Sequence, residues 1–335
     1  MSHSPYLRES RSVRQIMLQV LLALLPGIVA YVWQFGAGVL IQLLLASTAA
    51  LAAEAAMLRL RRKPLGLYLG DLSAIVTAWL IALSLPPIGP WWMVVLATLC
   101  AIVVAKHLYG GLGQNPFNPA MVAFCVMIVA FPAQMSQWPD AGLDFGQQLD
   151  LILGGERVLD AITAATPLDA LRTGLRAGGA EAHVAEILQG AAFGTVGGRG
   201  WEWVVAGFAL GGLYLLWQRI ISWHLPAAFL LTMALTATLL WGMHPERFAS
   251  PLLHLATGGT MLAAFFIVTD PVSGSTTPKG KLVFAGGAAF IAYMIRSFGN
   301  YPDGIAFAVL LMNICVPLID MYTQPPVFGH KRGSS

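Results

Sequence analysis

Residues Ile16–Trp33 read IMLQVLLALLPGIVAYVW, a run of 18 residues without a charge. A helix of about 20 mostly apolar residues crosses the hydrocarbon core of a bilayer, which is about 30 Å thick. Similar runs recur along the chain and predict ten membrane-spanning helices. The predicted spans are Ile16–Trp33, Val39–Leu58, Leu72–Ile88, Trp91–Lys106, Asn118–Phe131, Trp201–Trp217, Leu225–Trp241, Leu252–Thr269, Leu282–Ile295 and Ile305–Ile319.

The composition agrees with this interpretation. Of the 335 residues, 57% are hydrophobic and only 10% are charged, whereas soluble chains carry about 25% charged residues. So few charges exclude an ordinary soluble enzyme, a disordered chain and a nucleic-acid-binding protein, which needs a clustered basic face. The cysteines Cys100, Cys125 and Cys315 stand apart in apolar runs and are interpreted as small hydrophobic residues, so no metal site is predicted. We therefore predict an all-α integral membrane protein.

The distribution of lysine and arginine predicts the orientation of these helices. With the N-terminus in the cytoplasm, 13 of the 19 basic residues fall on the cytoplasmic side, and only Arg247 and Arg296 fall in short loops on the other side. The remaining four lie in the long segment 132–200, where the positive-inside rule is weak. This asymmetry predicts a multi-pass membrane protein with both termini cytoplasmic and residues 132–200 facing the periplasm or cell exterior; the family resemblance described below implies the bacterial cytoplasmic (inner) membrane.

Five spans precede the long segment and five follow it, so the second half must enter the membrane in the opposite orientation. Weak internal similarity agrees, since Asn115-Pro116-Phe117-Asn118 opens the fifth span and Asn300-Tyr301-Pro302-Asp303 opens the tenth. The predicted units are a five-helix repeat over residues 1–131, a periplasmic segment over residues 132–200 and a second five-helix repeat over residues 201–335. Inverted repeats are typical of transporters, so a transporter without a redox role is one function that fits this layout.

The periplasmic segment contains TAATPLDALR, residues 163–172, which predicts the start of a helix. Thr166 is expected to cap the helix, Pro167 to be its first residue, and Asp169 to reach back toward the cap, much as in a capping box. The N-terminus of a helix stabilises negative charge. A phosphate group attached through Thr166 would therefore be tolerated there.

The run Thr163-Ala164-Ala165-Thr166 looks like the Ser/Thr-x-Ala-Thr flavinylation motif of membrane flavoprotein subunits. Three further segments fit the same family: Gly110–Ala120, Thr269–Ser275 and Gly299–Gly304. Over essentially its whole length the chain resembles the D subunits of Rnf ion-translocating oxidoreductase complexes, whose near relatives are the B subunits of sodium-translocating NADH:quinone reductases. Those B subunits usually have a longer N-terminal extension. Only about 15 residues precede the first span here, which favours the Rnf type.

The resemblance implies FMN joined to Thr166 by a phosphoester bond, which an exported flavin transferase forms. It also implies a second, non-covalent flavin, riboflavin in the related subunits, near Asn115 and Asn118. The alternative for these two residues is structural, since Asn-Pro steps are common in turns and helix caps. The flavins would carry the chemistry, so no side chain is assigned a catalytic role.

By resemblance, the complex couples electron transfer between NADH and ferredoxin to movement of Na⁺ or H⁺ across the membrane. A B-type subunit would serve a quinone reductase instead. Iron–sulfur, NADH-binding and second covalent-FMN subunits would complete the electron path. Membrane lipid would surround the chain, and no nucleic-acid partner is expected.

A second Thr-Pro step, Thr277-Pro278, lies in the Gly/Ser-rich run 273–278. The charge distribution places it on the cytoplasmic side, beside Lys279 and Lys281, where an exported transferase does not reach. Thr166 is therefore the predicted attachment site.

Ionisable residues at membrane depth are costly and are often functional. The candidates for the ion path are Glu54, Asp71, Asp270 and Asp303, together with His254 and Asp320. Two of these residues also have structural interpretations. Glu54 lies close to Arg59 and Arg61 along its helix and can reach toward the membrane surface, and Asp71 can cap the third span.

Overall fold

The structure is a computed structural model that describes residues 11–139, 143–154, 163–179 and 183–324. Within these ranges the chain is almost entirely helical, which confirms the predicted all-α class. The helices in chain order are α1 (Val13–Phe35), α2 (Gly38–Leu60), α3 (Leu65–Leu69), α4 (Ser73–Ser84), α5 (Trp91–Leu99), α6 (Pro119–Ala130), α7 (Pro132–Met135), α8 (Phe145–Leu153), α9 (Pro167–Gly178), α10 (Val184–Ile187), α11 (Trp201–Trp217), α12 (His224–Met243), α13 (Pro251–Ala256), α14 (Thr260–Leu262), α15 (Pro278–Phe298) and α16 (Ile305–Thr323).

Two π-helical segments and one small sheet complete the secondary structure. Cys100–His107 continues α5, and Ala263–Ile267 continues α14. Strands β1 (Trp138–Pro139) and β2 (Thr163–Ala164) pair antiparallel, with Trp138 opposite Ala164.

Among the described residues, five helices, α1, α2, α12, α15 and α16, are long and apolar enough to cross a membrane. Each of them contains one of the predicted spans. Three further predicted spans coincide with shorter apolar helices: α5 with its π-helical continuation, α6 and α11. On α12, Leu231, Leu235 and Leu239 are exposed at i, i+4 spacing, so this helix presents an apolar stripe that suits contact with lipid.

Two predicted spans are not continuous helices. In place of Leu72–Ile88, α4 contains 12 residues and begins after Leu72, whose backbone is left-handed (φ 66°); such a helix covers only about 18 Å. In place of Leu252–Thr269, α13 ends at Ala256 and α14 begins at Thr260, with Gly258 at φ 60° between them. The turn 257–259, with Gly258 left-handed, divides the second of these spans, whereas α4 is shortened at its other end, where it stops at Ser84 ahead of Leu85-Pro86-Pro87.

The first helices of the two halves pack against each other through small residues. A Cβ atom at Gly207 of α11 would lie 2.6 Å from the carbonyl oxygen of Pro26 in α1, and one at Gly211 would clash with the carbonyl oxygen of Ala23. Gly207 and Gly211 are four residues apart, the small-xxx-small spacing that lets helix backbones approach closely in membranes. The α1–α11 contact therefore joins the chain's two halves at backbone distance.

The segment between the halves is fixed to them by specific contacts. Gln148 of α8 donates a hydrogen bond to the carbonyl of Phe35 (3.1 Å) and accepts one from the N–H of Gly38 (2.7 Å), so α8 is attached to the turn between α1 and α2. Helix α9 buries Leu168 and Leu171. These contacts place the start of α9 against the helical core.

Gly211→Ala should destabilise the protein by about 1–3 kcal/mol, because the added methyl group overpacks the α1–α11 contact. Gly242→Ala is the matched control, since a Cβ atom at Gly242 in α12 meets nothing within 4 Å. Thermal unfolding of the detergent-purified proteins measures both. Equal unfolding midpoints for the two variants would show that the close approach of α1 and α11 does not limit stability.

Candidate functional site

Thr166 is the N-cap of α9. Its hydroxyl accepts a hydrogen bond from the N–H of Asp169 (3.3 Å), and Pro167 is the first helical residue, which confirms this part of the capping prediction. Asp169 differs from the expectation: its carboxylate pairs with Arg172 (2.6 Å) and does not close a capping box. Thr163 lies in β2, three residues before Thr166. The pairing of β2 with β1 therefore positions the backbone that leads into the N-cap of α9.

A cavity of about 130 Å³ lies beside Thr166, and we call it the Thr166 cavity. Aromatic residues of three segments form much of its wall, including Tyr31 of α1, Trp138 of β1 and Trp201 of α11. The ring of Trp201 packs against Tyr31 (5.9 Å between centroids) and against Trp138 (5.2 Å). The N-cap hydroxyl therefore adjoins a rigid, apolar, aromatic surface.

Asp303 also lines the Thr166 cavity, and its carboxylate is fully engaged. It accepts hydrogen bonds from Nε (3.1 Å) and Nη2 (3.0 Å) of Arg296, and from the backbone N–H groups of Gly259 (3.2 Å) and Ile305 (3.2 Å). Asp303 therefore joins the N-termini of α14 and α16 and neutralises a buried arginine. Its geometry is that of a structural ion pair.

A larger cavity of about 340 Å³, the Asn115 cavity, brings together Asn115, Asn118 and Asp270 from the predicted set. Its volume lies within the range of about 300–1,000 Å³ that is usual for small-molecule sites. Lys106 and Ser73 also line it.

The side chains of the two predicted asparagines make different hydrogen bonds in this cavity. Oδ1 of Asn118 caps α6 by accepting hydrogen bonds from the N–H groups of Ala120 (3.1 Å) and Met121 (3.2 Å), and its Nδ2 donates to the carbonyl of Ile267 (3.3 Å). Both polar atoms of the Asn118 side chain are therefore engaged in hydrogen bonds within the protein. Nδ2 of Asn115 donates to the carbonyl of Phe117 (3.0 Å), while its Oδ1 accepts no hydrogen bond from the described residues and remains available to a ligand.

The two cavities lie end to end along the same helices. On α4, Ser73 and Thr77 face the Asn115 cavity, and Leu83 faces the Thr166 cavity. Helix N-termini line both cavities: those of α4 and α6 the Asn115 cavity, and those of α9, α14 and α16 the Thr166 cavity. The positive ends of those helix dipoles favour ligands that are negatively charged or become so.

Glu54 is part of a buried ion-pair cluster, so the interpretation that it reaches toward Arg59 and Arg61 at the membrane surface is wrong. Its carboxylate oxygens accept hydrogen bonds from Nζ of Lys106 at 2.9 and 3.0 Å, and Nε2 of His107 lies 3.1 Å from Oε2. Lys106 also donates to the hydroxyl of Ser73 (2.9 Å). Sequence reasoning missed Lys106 as a partner; its position at the end of an apolar run was the available signal.

The remaining ion-path candidates are dispersed. Asp71 accepts a hydrogen bond from the N–H of Ser73 (2.7 Å), the first residue of α4, although the N-cap position itself is Leu72 and not Asp71 as expected. Asp270 accepts one from the hydroxyl of Ser273 (2.6 Å), and Asp320 binds the hydroxyl groups of Ser275 and Thr276. His254 is buried against the ring of Tyr293 (4.9 Å). The predicted acids thus do not converge on one site.

Comparison with known proteins shows similarity over the whole chain. The model of the NQR2, RnfD, RnfE family matches residues 1–329. A protein of Yersinia pseudotuberculosis serotype O:1b (strain IP 31758), named as the D subunit of an ion-translocating oxidoreductase complex, is 52% identical over 348 aligned positions, which cover 98% of each chain. Proteins with the same name from Shigella dysenteriae serotype 1 and Escherichia coli (strain SE11) are each 49% identical, with 98% of both chains covered.

Lys106→Met should destabilise the protein by about 3–5 kcal/mol, because it leaves the buried Glu54 carboxylate without its cation. Glu54→Gln in the same background should restore part of the loss, because the uncompensated charge is removed. Lys279→Met, at an exposed position, is the matched control. Thermal unfolding in detergent provides the comparison, and additive losses in the double variant would contradict coupling between the two residues.

Proposed function

Since the chain belongs to the NQR2, RnfD, RnfE family, we propose that it is the D-type membrane subunit of an ion-translocating oxidoreductase complex and carries a covalent flavin. The observation that carries the flavin assignment is the position of Thr166, a helix N-cap whose hydroxyl borders an aromatic cavity. Similarity over 98% of the chain to proteins named as this subunit supports the membership in such a complex.

In the membrane, we propose ten spans arranged as two inverted repeats, residues 1–131 and 201–335, with both termini cytoplasmic and the flavin-carrying segment 132–200 on the periplasmic side of the inner membrane. Corresponding contacts in the two halves support this arrangement. In each half a buried cation near the end of the fourth span binds the first hydroxyl of a broken helix: Lys106 donates to Ser73 (2.9 Å) and Arg296 to Thr260 (3.0 Å). The inverted arrangement puts these pairs on opposite sides of the membrane.

FMN would be held by a phosphoester on Oγ1 of Thr166, formed by an exported transferase. The residues present suit this group. Pro167 has no N–H and that of Asp169 donates to the cap, so the N–H of Leu168 and the positive end of the α9 dipole are what this helix offers a phosphate oxygen. Tyr31, Trp138 and Trp201 provide an apolar wall beside it. Asp169 is paired with Arg172, which limits its repulsion of a phosphate. When bound, a flavin supplies single-electron transfer, and the protein positions it.

A second, non-covalent flavin, riboflavin, would occupy the Asn115 cavity. The free Oδ1 of Asn115 can accept a hydrogen bond from the ring N–H of an isoalloxazine. The side chain of Asn118 maintains the α6 cap, and the N-termini of α4 and α6 favour the negative charge that reduction adds to the ring.

The complex would couple electron transfer between NADH and ferredoxin to translocation of Na⁺ or H⁺. Iron–sulfur, NADH-binding and second covalent-FMN subunits would supply the rest of the electron path. Asp270, in the Asn115 cavity, is the ion-path candidate with the best access to a cavity, whereas the carboxylates of Glu54 and Asp303 are held in ion pairs. Reduction of a quinone in place of ferredoxin by the purified complex would identify the B-type alternative.

Thr166→Ala should abolish covalent flavin, because it removes the only hydroxyl at this cap. Thr277→Ala is the matched control: Thr277 also caps a helix that starts with proline, and its hydroxyl accepts a hydrogen bond from the N–H of Gly280 (2.9 Å). In-gel flavin fluorescence, together with the mass of the peptide that contains Thr166, gives the readout in a host with the transferase. Fluorescence that survives Thr166→Ala would overturn the assignment, and a wild-type protein without any flavin would favour a non-redox transporter.

Asn115→Leu should weaken retention of the non-covalent flavin by about tenfold, the effect of losing one hydrogen bond to a ligand. The covalent flavin in the same sample is the internal control and should be unchanged, and Thr166→Ala should show the reverse pattern. The measurement is the ratio of extractable to protein-bound flavin. A wild-type ratio in Asn115→Leu would exclude Asn115 as a ligand.

A further inference from the structure

A third cavity of about 130 Å³ lies between α9, α13 and α15, on the other side of Leu168 and Pro302 from the Thr166 cavity. We call it the arginine cavity, because four guanidinium groups line it: those of Arg172, Arg176, Arg247 and Arg296. No carboxylate belongs to the described residues that form its wall. Its surroundings are therefore strongly cationic.

Two of these guanidinium groups have carboxylate partners, since Arg172 pairs with Asp169 (2.6 Å) and Arg296 with Asp303 (3.0 Å). Arg176 is exposed and donates to neutral oxygens, the carbonyl of Gly299 (2.8 Å) and Oδ1 of Asn300 (2.7 Å), and it forms no ion pair with the described residues. Because none of the described wall residues is a carboxylate, an anion beside Arg176 would gain a charge-assisted contact without displacing an ion pair.

Two buried polar atoms of the wall also lack partners. His254 is only 4% exposed, and its Nδ1 has no hydrogen-bond partner among the described residues. The buried Nε of Arg172 is likewise without one. A neutral imidazole can carry its proton on Nδ1, so both atoms can act as donors. Unsatisfied buried groups are rare in folded proteins, and here both belong to residues that line the same cavity.

We propose that the arginine cavity binds a phosphate group at the periplasmic membrane surface. Guanidinium groups bind phosphate oxygens in a planar, bidentate manner, and the unused donors of His254 and Arg172 complete the set. A phospholipid headgroup and a free phosphate ion share this chemistry. The site is separate from the flavin attachment point and does not depend on the proposed flavinylation.

The apolar side chains beside the arginine cavity favour a phospholipid as the source of the phosphate group. The rings of Phe248 and Phe298 pack against each other at its wall (5.9 Å between centroids), and Phe298 is 63% exposed. In the proposed orientation this aromatic pair lies near the membrane surface, because it follows the end of α12 and forms the end of α15. A phosphate bound between α9 and the end of α15 would fasten the helix that starts at Thr166 to the membrane-embedded core.

The test uses the purified complex in detergent micelles and measures binding by the concentration dependence of the thermal unfolding midpoint, because a ligand that binds only the folded state raises it. Three probes are compared: phosphatidylglycerol, phosphatidylcholine and inorganic phosphate. Native mass spectrometry counts the lipids retained. If phosphatidylglycerol raises the unfolding midpoint more than phosphatidylcholine does, the ligand is an anionic lipid. If only inorganic phosphate raises the midpoint, the ligand is the free ion.

Arg176→Gln and Arg247→Gln are the test variants, since both residues are exposed at the mouth and the fold should tolerate the changes. Each should weaken binding by about tenfold, the effect of removing one charge-assisted contact. Arg199→Gln, an exposed arginine of the same segment outside the cavity, is the matched control for net charge and should bind as the wild type does. Equal responses to all three probes, or equal weakening in Arg199→Gln, would overturn the proposal.

Discussion

A helix that breaks inside a membrane leaves polar groups that water does not reach, and this structure depends on how those groups are satisfied. Both broken segments use the same solution. A buried cation from a neighbouring long helix or its π-helical continuation donates to the hydroxyl of the first residue after the break: Lys106 to Ser73, and Arg296 to Thr260. Each cation is in turn balanced by a carboxylate, Glu54 or Asp303.

The breaks create the cavities. Because α4 and α14 begin within the helical assembly, their N-termini face enclosed space instead of solvent, and the N-termini of α6 and α16 lie beside them. Helix N-termini present free N–H groups and the positive end of a dipole, so both cavities favour electron-rich ligands. This is the environment that a flavin needs when it accepts electrons, and it results from the backbone arrangement before any side chain is considered.

The arginines around α9 and α15 have more than one use. Arg296 donates to the carbonyl of His254, just before the break at Gly258, whereas Arg172 and Arg176 of α9 donate to the loop that follows α15. The three arginines thus connect the segment that begins at Thr166 to the helices of residues 201–324. Under the proposed flavinylation of Thr166, these contacts would help to position the flavin, and position and electrostatics are what a protein contributes to flavin chemistry.

Local rules in the sequence determined the all-helical class, the positions of the five long apolar helices in the described part of the chain and the cap at Thr166, because hydropathy and capping depend on residues close together in the chain. The division of the predicted span at Gly258 was decided by backbone conformation, which apolar composition does not encode. Tertiary structure alone paired Glu54 with Lys106, 52 residues apart, and joined Nδ2 of Asn118 to the carbonyl of Ile267, 149 residues away, while leaving Oδ1 of Asn115 free. Buried polar atoms must find partners wherever the packing of distant helices brings them, and no local pattern records that choice.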